Sequence, residues 1–175
     1  MPEKNERRVV ITGLGAISDL GHDSESTWSG LIEGKSGIGP ITAFEQDDQW
    51  VAQIAGEVRD WDPSEKLDRS KTKKMDRFSQ LGFWAALEAM DSSGLDFEHG
   101  DPYRRGVVIG SGVGGIQTIE FYSGVLREKG PKRLSPFTVP KLMVNAAAGN
   151  VSIKFNLKGV NSSPATACAT GGHAL

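Results

Sequence analysis

Apolar and polar positions along the chain follow two patterns, one typical of buried strands and one typical of helices. Continuous apolar runs predict buried strands at residues 8–13 and 106–109, each running into a glycine turn. Residues 51–58 alternate between apolar and polar side chains, which favours an edge strand or an irregular excursion. Residues 162–167 predict a further strand, which carries Cys168 at its end.

Other segments repeat their apolar residues every three or four positions, as helices do. The clearest covers residues 76–93, and Gly94 marks its stop. Its apolar stripe consists of Phe78, Leu81, Ala85 and Ala89. Further apolar positions extend this stripe almost all round, so the helix is expected to be buried on most sides. Residues 117–129 and the small-residue segment 145–155 predict two more helices.

A shorter helix is predicted just before Gly34, which ends it. Asp23 or Ser24 caps its start. The apolar residues that share one of its faces are Trp28, Leu31 and Ile32.

Residues 135–140 are expected to be extended, because each of their two prolines restricts its own backbone and that of the preceding residue. Strands that alternate with helices predict an α/β fold with parallel strand pairing. Neither an internal repeat nor a linker divides the sequence. Residues 1–175 are therefore expected to form one domain.

Length and composition fit a globular domain without a nucleic-acid or membrane partner. The 175 residues are 38% hydrophobic and 24% charged, with a net charge of −2 and a pI near 5.9. The charged N-terminus lacks the apolar region of a signal peptide, and no run of apolar residues is long enough to span a membrane. A single cysteine cannot form an intramolecular disulfide. A cytoplasmic location is expected.

Glycines gather in loops that follow predicted strands. Residues 110–115 match the spacing of a dinucleotide-binding loop, in which free amides and a helix N-terminus hold a phosphate. The earlier turn at residues 13–15 has Ser18 where the third glycine belongs, and no acidic residue ends a strand about twenty residues after the second loop. The simpler interpretation is that these glycines turn corners and allow close approach. A nucleotide-binding half-domain stays the alternative.

Cys168 is the candidate nucleophile, since it lies at a predicted turn from strand to helix. A helix N-terminus favours the thiolate, the reactive form of cysteine, and the small neighbouring residues leave room for a thioester. The Cys168 amide is also a candidate oxyanion donor. The alternative is an inert, buried cysteine. His173 is expected to be structural, because five positions along a helix it does not readily face Cys168.

Four motifs occur in order and together extend over nearly the whole chain. They are residues 7–15 (RRVVITGLG), 109–115 (IGSGVGG), 135–137 (SPF) and 165–168 (ATAC). Together they resemble the N-terminal part of the elongating β-ketoacyl-acyl-carrier-protein synthases. The resemblance implies the N-terminal half of a thiolase-like fold, a mixed sheet packed between helices, in a protein that forms a homodimer.

The same resemblance implies a condensation reaction of fatty-acid elongation. In this family a cysteine takes an acyl group from acyl-carrier protein, and the carbanion left when malonyl-carrier protein loses CO₂ attacks the acyl-enzyme. Cys168 matches that cysteine. The acyl-pocket positions are Val113 at the gate, Ala167 beside the nucleophile, and Val139 lining the partner subunit's pocket. Neither a cofactor nor a metal is implied.

A basic stretch gives this resemblance a candidate docking surface for carrier protein, which is acidic. The stretch consists of Lys66, Arg69, Lys71, Lys73, Lys74 and Arg77. The docking positions that the resemblance implies are Lys71, Lys74, Lys132 and Arg133. Opposite charges would act mainly on the rate of encounter. The alternatives are an ordinary solvated face, or a fragment that binds carrier protein without catalysis.

Two departures from the family pattern matter. Asp19 stands where the family usually has proline, which affects the shape of that loop. The family's two catalytic histidines lie well downstream of the cysteine, beyond Leu175. These 175 residues are therefore expected to be a domain cut just after the nucleophile, inactive in condensation but open to alkylation at Cys168. An exposed apolar face is expected as well.

Overall fold

The computed structural model describes residues 8–175 and mixes helices with short strands. The helices are α1 (Ser24–Ile32), α2 (Arg69–Thr72), α3 (Arg77–Ser93), α4 (Ile116–Lys129), α5 (Thr138–Leu142), α6 (Ala146–Phe155) and α7 (Thr170–Ala174). The strands are β1 (Ile38–Pro40), β2 (Ile54–Gly56), β3 (Val107–Val108) and β4 (Asn161–Ser162). This content confirms the α/β prediction. The signal-peptide argument and the first residue of the motif at 7–15 lie outside the described residues.

The strands form two pairs of opposite sense. β1 and β2 run antiparallel, with Ile38 opposite Gly56, and β2 lies within the segment predicted as an edge strand. β3 and β4 run parallel, with Val107 opposite Asn161. Parallel pairing is thus confirmed where the helices α4, α5 and α6 connect the two strands.

The core lies where α3 and α6 pack together beside β3. Its buried members are Leu67, Met75, Phe83, Val107, Ala148, Val151 and Leu157. Small residues bring the two helices close, since a Cβ added at Gly82 of α3 would lie 3.4 Å from the Ala147 Cβ of α6. The close packing predicted for the alanine-rich helix is confirmed.

Helix α3 begins and ends where the sequence predicts. Asp76 caps its N-terminus by accepting a hydrogen bond from the Phe78 amide, and Gly94 ends it in the left-handed conformation. Phe83 and Trp84 are buried, while the predicted stripe is only half-buried. The expectation of burial on most sides therefore holds for one face and is too strong for the rest.

Helix α1 is also confirmed, although its apolar face is exposed. Asp23 caps the helix by accepting from the Ser26 amide, and Gly34 follows its end with a φ of 68°. Trp28, Leu31 and Ile32 all lie open to solvent. The predicted stripe exists, but nothing in the described part of the chain covers it.

The strand predicted at residues 8–13 is wrong for this structure. Val9, Val10 and Ile11 are exposed and form no ladder with any of the described strands. A strand needs a neighbour for its backbone groups. The chain instead runs past α3, where Gly13 and Gly15 lie so close to the backbone that a side chain would clash.

The extended conformation predicted at residues 135–140 is wrong as well, because α5 begins at Thr138. Pro140 is the third residue of this helix, where its amide would have no intrahelical acceptor. The Thr138 hydroxyl and amide both donate to the Ser135 carbonyl and close the turn. Pro140 is therefore tolerated in the first turn of this helix and does not prevent it.

The strand predicted at 162–167 is shorter than expected. β4 ends at Ser162, and Pro164 cannot donate a ladder hydrogen bond. The chain then reaches a single 3-10 turn at Ala167–Ala169, followed at once by α7.

Candidate active site

Cys168 is exposed and lies in the 3-10 turn between β4 and α7. The predicted turn from strand to helix is therefore present at the cysteine. The alternative of an inert, buried cysteine is therefore contradicted, because this residue is exposed. The exposed position leaves Cys168 accessible from solvent.

The glycine loop at 110–115 packs against the turn that carries Cys168. The Ser111 amide donates to the Pro164 carbonyl at 3.2 Å. A Cβ added at Gly112 would lie 3.4 Å from the Ala167 Cα, and one added at Gly110 would meet Pro164 at 2.5 Å from its carbonyl oxygen. Two motifs far apart in the sequence are thus in contact, and the contact depends on small residues.

The opposite side of the same loop packs on α5. The Gly115 amide donates to the Leu142 carbonyl at 3.0 Å, and the Gly114 amide donates to the Ser111 hydroxyl at 2.9 Å. These amides are among those that a bound phosphate would need. Because the protein already uses them, the structure favours the close-approach interpretation over a nucleotide site.

The first glycine turn is likewise occupied by the protein itself. Glu88 accepts from the Ala16 amide at 3.0 Å and from the Ser24 amide at 2.8 Å. Burial raises the pKa of Glu88, but hydrogen bonds from Ser24 and Ala16 outweigh it and leave that pKa below its ordinary value. A carboxylate held here would repel a phosphate.

The model of the β-ketoacyl synthase N-terminal domain family matches residues 6–175. The chain belongs to this family. It is 41% identical over 175 residues to 3-oxoacyl-[acyl-carrier-protein] synthase 2 of Synechocystis sp., covering 100% of this chain and 42% of that protein. It is 46% identical over 168 residues to the protein of the same name from Coxiella burnetii, covering 96% and 40%. The chain therefore spans about two fifths of the length of these curated relatives.

Solved structures agree with this assignment. A type II polyketide ketosynthase, bound to the hexaketide and in complex with its acyl-carrier protein, matches with a TM-score of 0.75 and 25% identity, over 97% of this chain and 44% of that one. A β-ketoacyl synthase from Burkholderia phymatum matches with a TM-score of 0.76 and 25% identity, over 96% and 41%. The ketoacyl synthase domain thus has the thiolase-like fold of these ketosynthases.

The three predicted acyl-pocket residues lie on three parts of the ketoacyl synthase domain. Val113 belongs to the glycine loop and Ala167 to the cysteine turn, so the Gly112–Ala167 contact brings these two together. Val139 lies on α5, whose Leu142 contacts the same loop from the other side. Val113 and Val139 are each 60% exposed, so their pocket role stays a prediction.

The basic stretch of the ketoacyl synthase domain divides in two. Lys66 lies 4.4 Å from the Trp84 ring centroid, and Arg77 lies over Trp61 while donating to the Val58 carbonyl, so both already serve the fold. The predicted docking residues Lys71, Lys74, Lys132 and Arg133 are all exposed. Lys74 lies 5.1 Å from the ring centroid of Phe137, four positions after Arg133, which brings the two basic segments near each other.

Three polar residues around the cysteine turn and α4 were missed by sequence reasoning. Asp76 accepts from the Thr118 amide and hydroxyl, at 2.9 and 2.6 Å, and both residues are buried. Thr170, also buried, accepts from the Thr166 amide. The predicted start of a helix at residue 76 was the only sequence signal, because Thr118 lies far from Asp76 in the sequence and nothing in the local pattern marks either threonine.

His173 contacts the turn that precedes the cysteine. Its Nδ1 lies 2.8 Å from the Thr166 hydroxyl oxygen. Within residues 8–175, no group of three histidine, cysteine or acidic residues is placed to hold a metal ion. No helix in this same part of the chain is both long and apolar enough to cross a membrane.

Proposed function

We propose that this ketoacyl synthase domain supplies the nucleophile of a condensing enzyme in fatty-acid elongation. The Cys168 thiolate attacks the thioester of an acyl-carrier protein, and the carrier's thiol leaves as the acyl group becomes bound to Sγ. Malonyl-carrier protein then loses CO₂, its carbanion attacks the acyl carbonyl, and Sγ leaves as the thiolate. The exposed thiol on the turn after β4 is the observation that carries this proposal.

The three histidines of the chain already have other contacts, which supports the proposal that the 175 residues alone do not catalyse the condensation. His22 Nε2 lies 2.8 Å from the Arg59 carbonyl, and His99 pairs with Asp96. Nδ1 of His173 is engaged by the Thr166 hydroxyl at 2.8 Å. The 175 residues by themselves accept an acyl group and do not complete the condensation.

The acidic carrier protein docks on the exposed basic residues Lys71, Lys74, Lys132 and Arg133. The proximity of Lys74 to Phe137 supports a single surface made from both segments. A similar ketosynthase solved in complex with its acyl-carrier protein supports a partner of this kind. The whole protein is cytoplasmic and forms a homodimer, in which exposed Val139 faces the partner's acyl pocket while Val113 and Ala167 line the pocket of their own subunit.

Acyl transfer to Cys168 tests the reaction. Incubation with an acylated carrier protein should add the mass of one acyl group to the chain. Prior alkylation of Cys168 with iodoacetamide should block this addition. Cys168→Ser should reduce acylation at this position to background, because a serine hydroxyl is a far weaker nucleophile than a thiolate. An acyl adduct that persists in Cys168→Ala would contradict the assignment of the nucleophile.

Charge reversal tests the docking surface separately. Lys74→Glu together with Arg133→Glu should weaken carrier binding and remove most of its salt dependence, since exposed opposite charges act mainly through screened attraction. Lys154→Glu, an exposed change on α6, serves as the matched control. Equal binding by the docking variant and the control would rule out this surface, whatever the outcome of the acylation assay.

A further inference from the structure

Ala167, the residue before the nucleophile, has an unusual backbone conformation. Its φ is 49°, in the left-handed region that residues with a Cβ seldom occupy. Such a conformation persists where the surrounding structure holds it. Because it lies directly before Cys168, the backbone of Ala167 sets the direction in which the thiol leaves the turn.

The Ala169 amide donates to the Thr166 carbonyl at 3.1 Å, and two side-chain hydrogen bonds hold the same turn. The Thr166 amide donates to the Thr170 hydroxyl at 2.9 Å. The Thr166 hydroxyl lies 2.8 Å from Nδ1 of His173. Both bonds run from the residue before Ala167 to α7, so they span Ala167 and Cys168 on the two sides of the turn.

Thr170 is itself held in place by the glycine loop. It is only 6% exposed, and its methyl group lies against Gly110, where a side chain would clash. Its hydroxyl is thereby directed at the Thr166 amide rather than at water. The hydrogen bond between the Thr166 amide and the Thr170 hydroxyl is part-buried, so losing this acceptor costs about one hydrogen bond.

We propose that Thr166, Thr170 and His173, the thiol clamp, are positioning residues that hold Ala167 in its left-handed conformation and so aim the Cys168 thiol at an incoming thioester. The inference rests on the proposed function, because it assigns the aim of the thiol to acyl transfer. Acyl transfer requires a defined angle between thiolate and carbonyl, whereas a small alkylating reagent reaches an exposed thiol from many directions.

Substitution of Thr170 provides the direct test. Thr170→Val keeps the shape and removes the acceptor, and it should slow acylation of Cys168 about 5-fold, the equivalent of one lost hydrogen bond. Its reaction with iodoacetamide should change by less than about 2-fold, because the thiol stays exposed. Thr170→Ser keeps the hydroxyl and should restore acylation. Thr27→Val, which removes a threonine hydroxyl far along the chain, is the matched control.

A second substitution distinguishes positioning from general stability. Glycine occupies the left-handed region without steric cost, so Ala167→Gly should make the clamp less necessary. In that background Thr170→Val should slow acylation by less than about 2-fold, whereas a merely stabilising role would give the same loss in both backgrounds. Equal losses in the two backgrounds, or equal losses of acylation and alkylation, would overturn the proposal.

Hydrogen exchange of the Thr166 amide tests the thiol clamp directly, even if no acyl transfer occurs. The amide should exchange faster with solvent in Thr170→Val than in Thr170→Ser, because only the valine removes its acceptor. An unmutated chain that takes up no acyl group would contradict the proposed function and leave this measurement intact. Unchanged exchange in Thr170→Val would overturn the clamp itself.

Discussion

Gly114 meets two demands at once, one of backbone conformation and one of space. Its φ is 81°, and a Cβ added there would lie 2.7 Å from the Leu142 carbonyl oxygen. Gly124, in the helix that follows this loop, has nothing within 4 Å of its added Cβ. A side chain would therefore clash at Gly114, whereas at Gly124 there is room for one.

Gly114→Ala should lower the free energy of unfolding by about 2–4 kcal/mol, through backbone strain and a clash with backbone that cannot move aside. Gly124→Ala should raise it by about 0.5–1 kcal/mol, since alanine is the better helix former. Urea denaturation of both variants measures the difference. Equal stability of the two would show that the loop does not pack on α5 as described.

Sequence reasoning at this scale identified the cysteine but not the residues that hold it. Cys168 stands out as the only cysteine in a small-residue stretch. Thr170 has no such mark, since its role follows from a methyl group lying on Gly110 and a hydroxyl facing Thr166. Contacts of this kind depend on which distant segments meet, which single-sequence patterns do not report.

Asp76 joins two elements that lie far apart in the sequence. It caps α3, and it also receives both hydrogen bonds from Thr118 in the first turn of α4. Asp68 caps α2 in a similar way, with the Ser70 amide as donor, but it is exposed and serves one element only. The two aspartates make a natural pair for comparison.

Asp76→Ala should lower the free energy of unfolding by about 3 kcal/mol, because it leaves the buried amide and hydroxyl of Thr118 without an acceptor. Asp68→Ala should cost about 1 kcal/mol or less, as expected of an exposed cap. Denaturant titration of the two variants gives both values. Similar losses would argue that the Thr118 hydrogen bonds add nothing beyond capping.

Glu57 fastens the loop after β1 to the end of β2. Hydrogen bonds from the Thr42 hydroxyl first, and then from the amides of Ala43 and Thr42 and from Arg59, lower its pKa to about 2, although burial opposes them. Its ordinary value is 4.5. A lowered pKa means that the folded state favours the charged form. The stabilisation is therefore complete above the ordinary value and is lost as pH falls through about 2.

Glu57→Gln should be less stable than the unmutated chain at neutral pH, and the two should converge as the pH is lowered from 4.5 toward 2. Thermal unfolding at several pH values measures the gap between them. Glu45→Gln, at an exposed position nearby, provides the control. A gap that stays constant down to pH 2 would exclude the titration of Glu57 as its cause.

Elements whose ends are marked locally were predicted well. The cap at Asp23 and the stops at Gly34 and Gly94 all appear where the sequence places them. The failure at 135–140 has a local cause too, since proline suits the first turn of a helix as well as an extended segment. The strand at 8–13 failed for a different reason: its pairing depends on a partner that local patterns do not reveal.

At the scale of the molecule, the chain exposes far more surface than its mass requires. Its accessible area is 12659 Å² for 18.8 kDa, whereas a compact monomer of this size exposes about 8,300 Å². Much of the excess is apolar, with Val9 95% exposed and the apolar face of α1 uncovered. Exposed apolar residues favour association, while the apolar face expected beside the helix after Cys168 stays a prediction.

The purified 175-residue chain should therefore self-associate and bind a dye specific for apolar surfaces. Light scattering after size-exclusion chromatography should show species above 18.8 kDa. Val9→Asp combined with Ile11→Asp should reduce both effects, because charged side chains disfavour burial of that segment. A monodisperse monomer that unfolds cooperatively would refute this prediction.

The thiolase-like fold itself followed from the resemblance and not from periodicity. Alternating patterns predicted α/β and parallel pairing, which β3 and β4 confirm, but they did not indicate which strands pair. That information lies in the family motifs, two of which meet in space where the glycine loop at 110–115 contacts the turn that carries Cys168. Whole-molecule architecture thus needed comparison with known proteins, while single helices did not.

The pairing of Val107 with Asn161 has a consequence for how the chain acquires its fold. These residues meet only after α4, α5 and α6 have been brought back on the core, and contacts between distant segments form slowly. The glycine loop and the cysteine turn flank this pair, so neither has its support until it closes. A newly synthesised chain therefore carries Cys168 as an ordinary flexible thiol at first, and its orientation is a late product of folding.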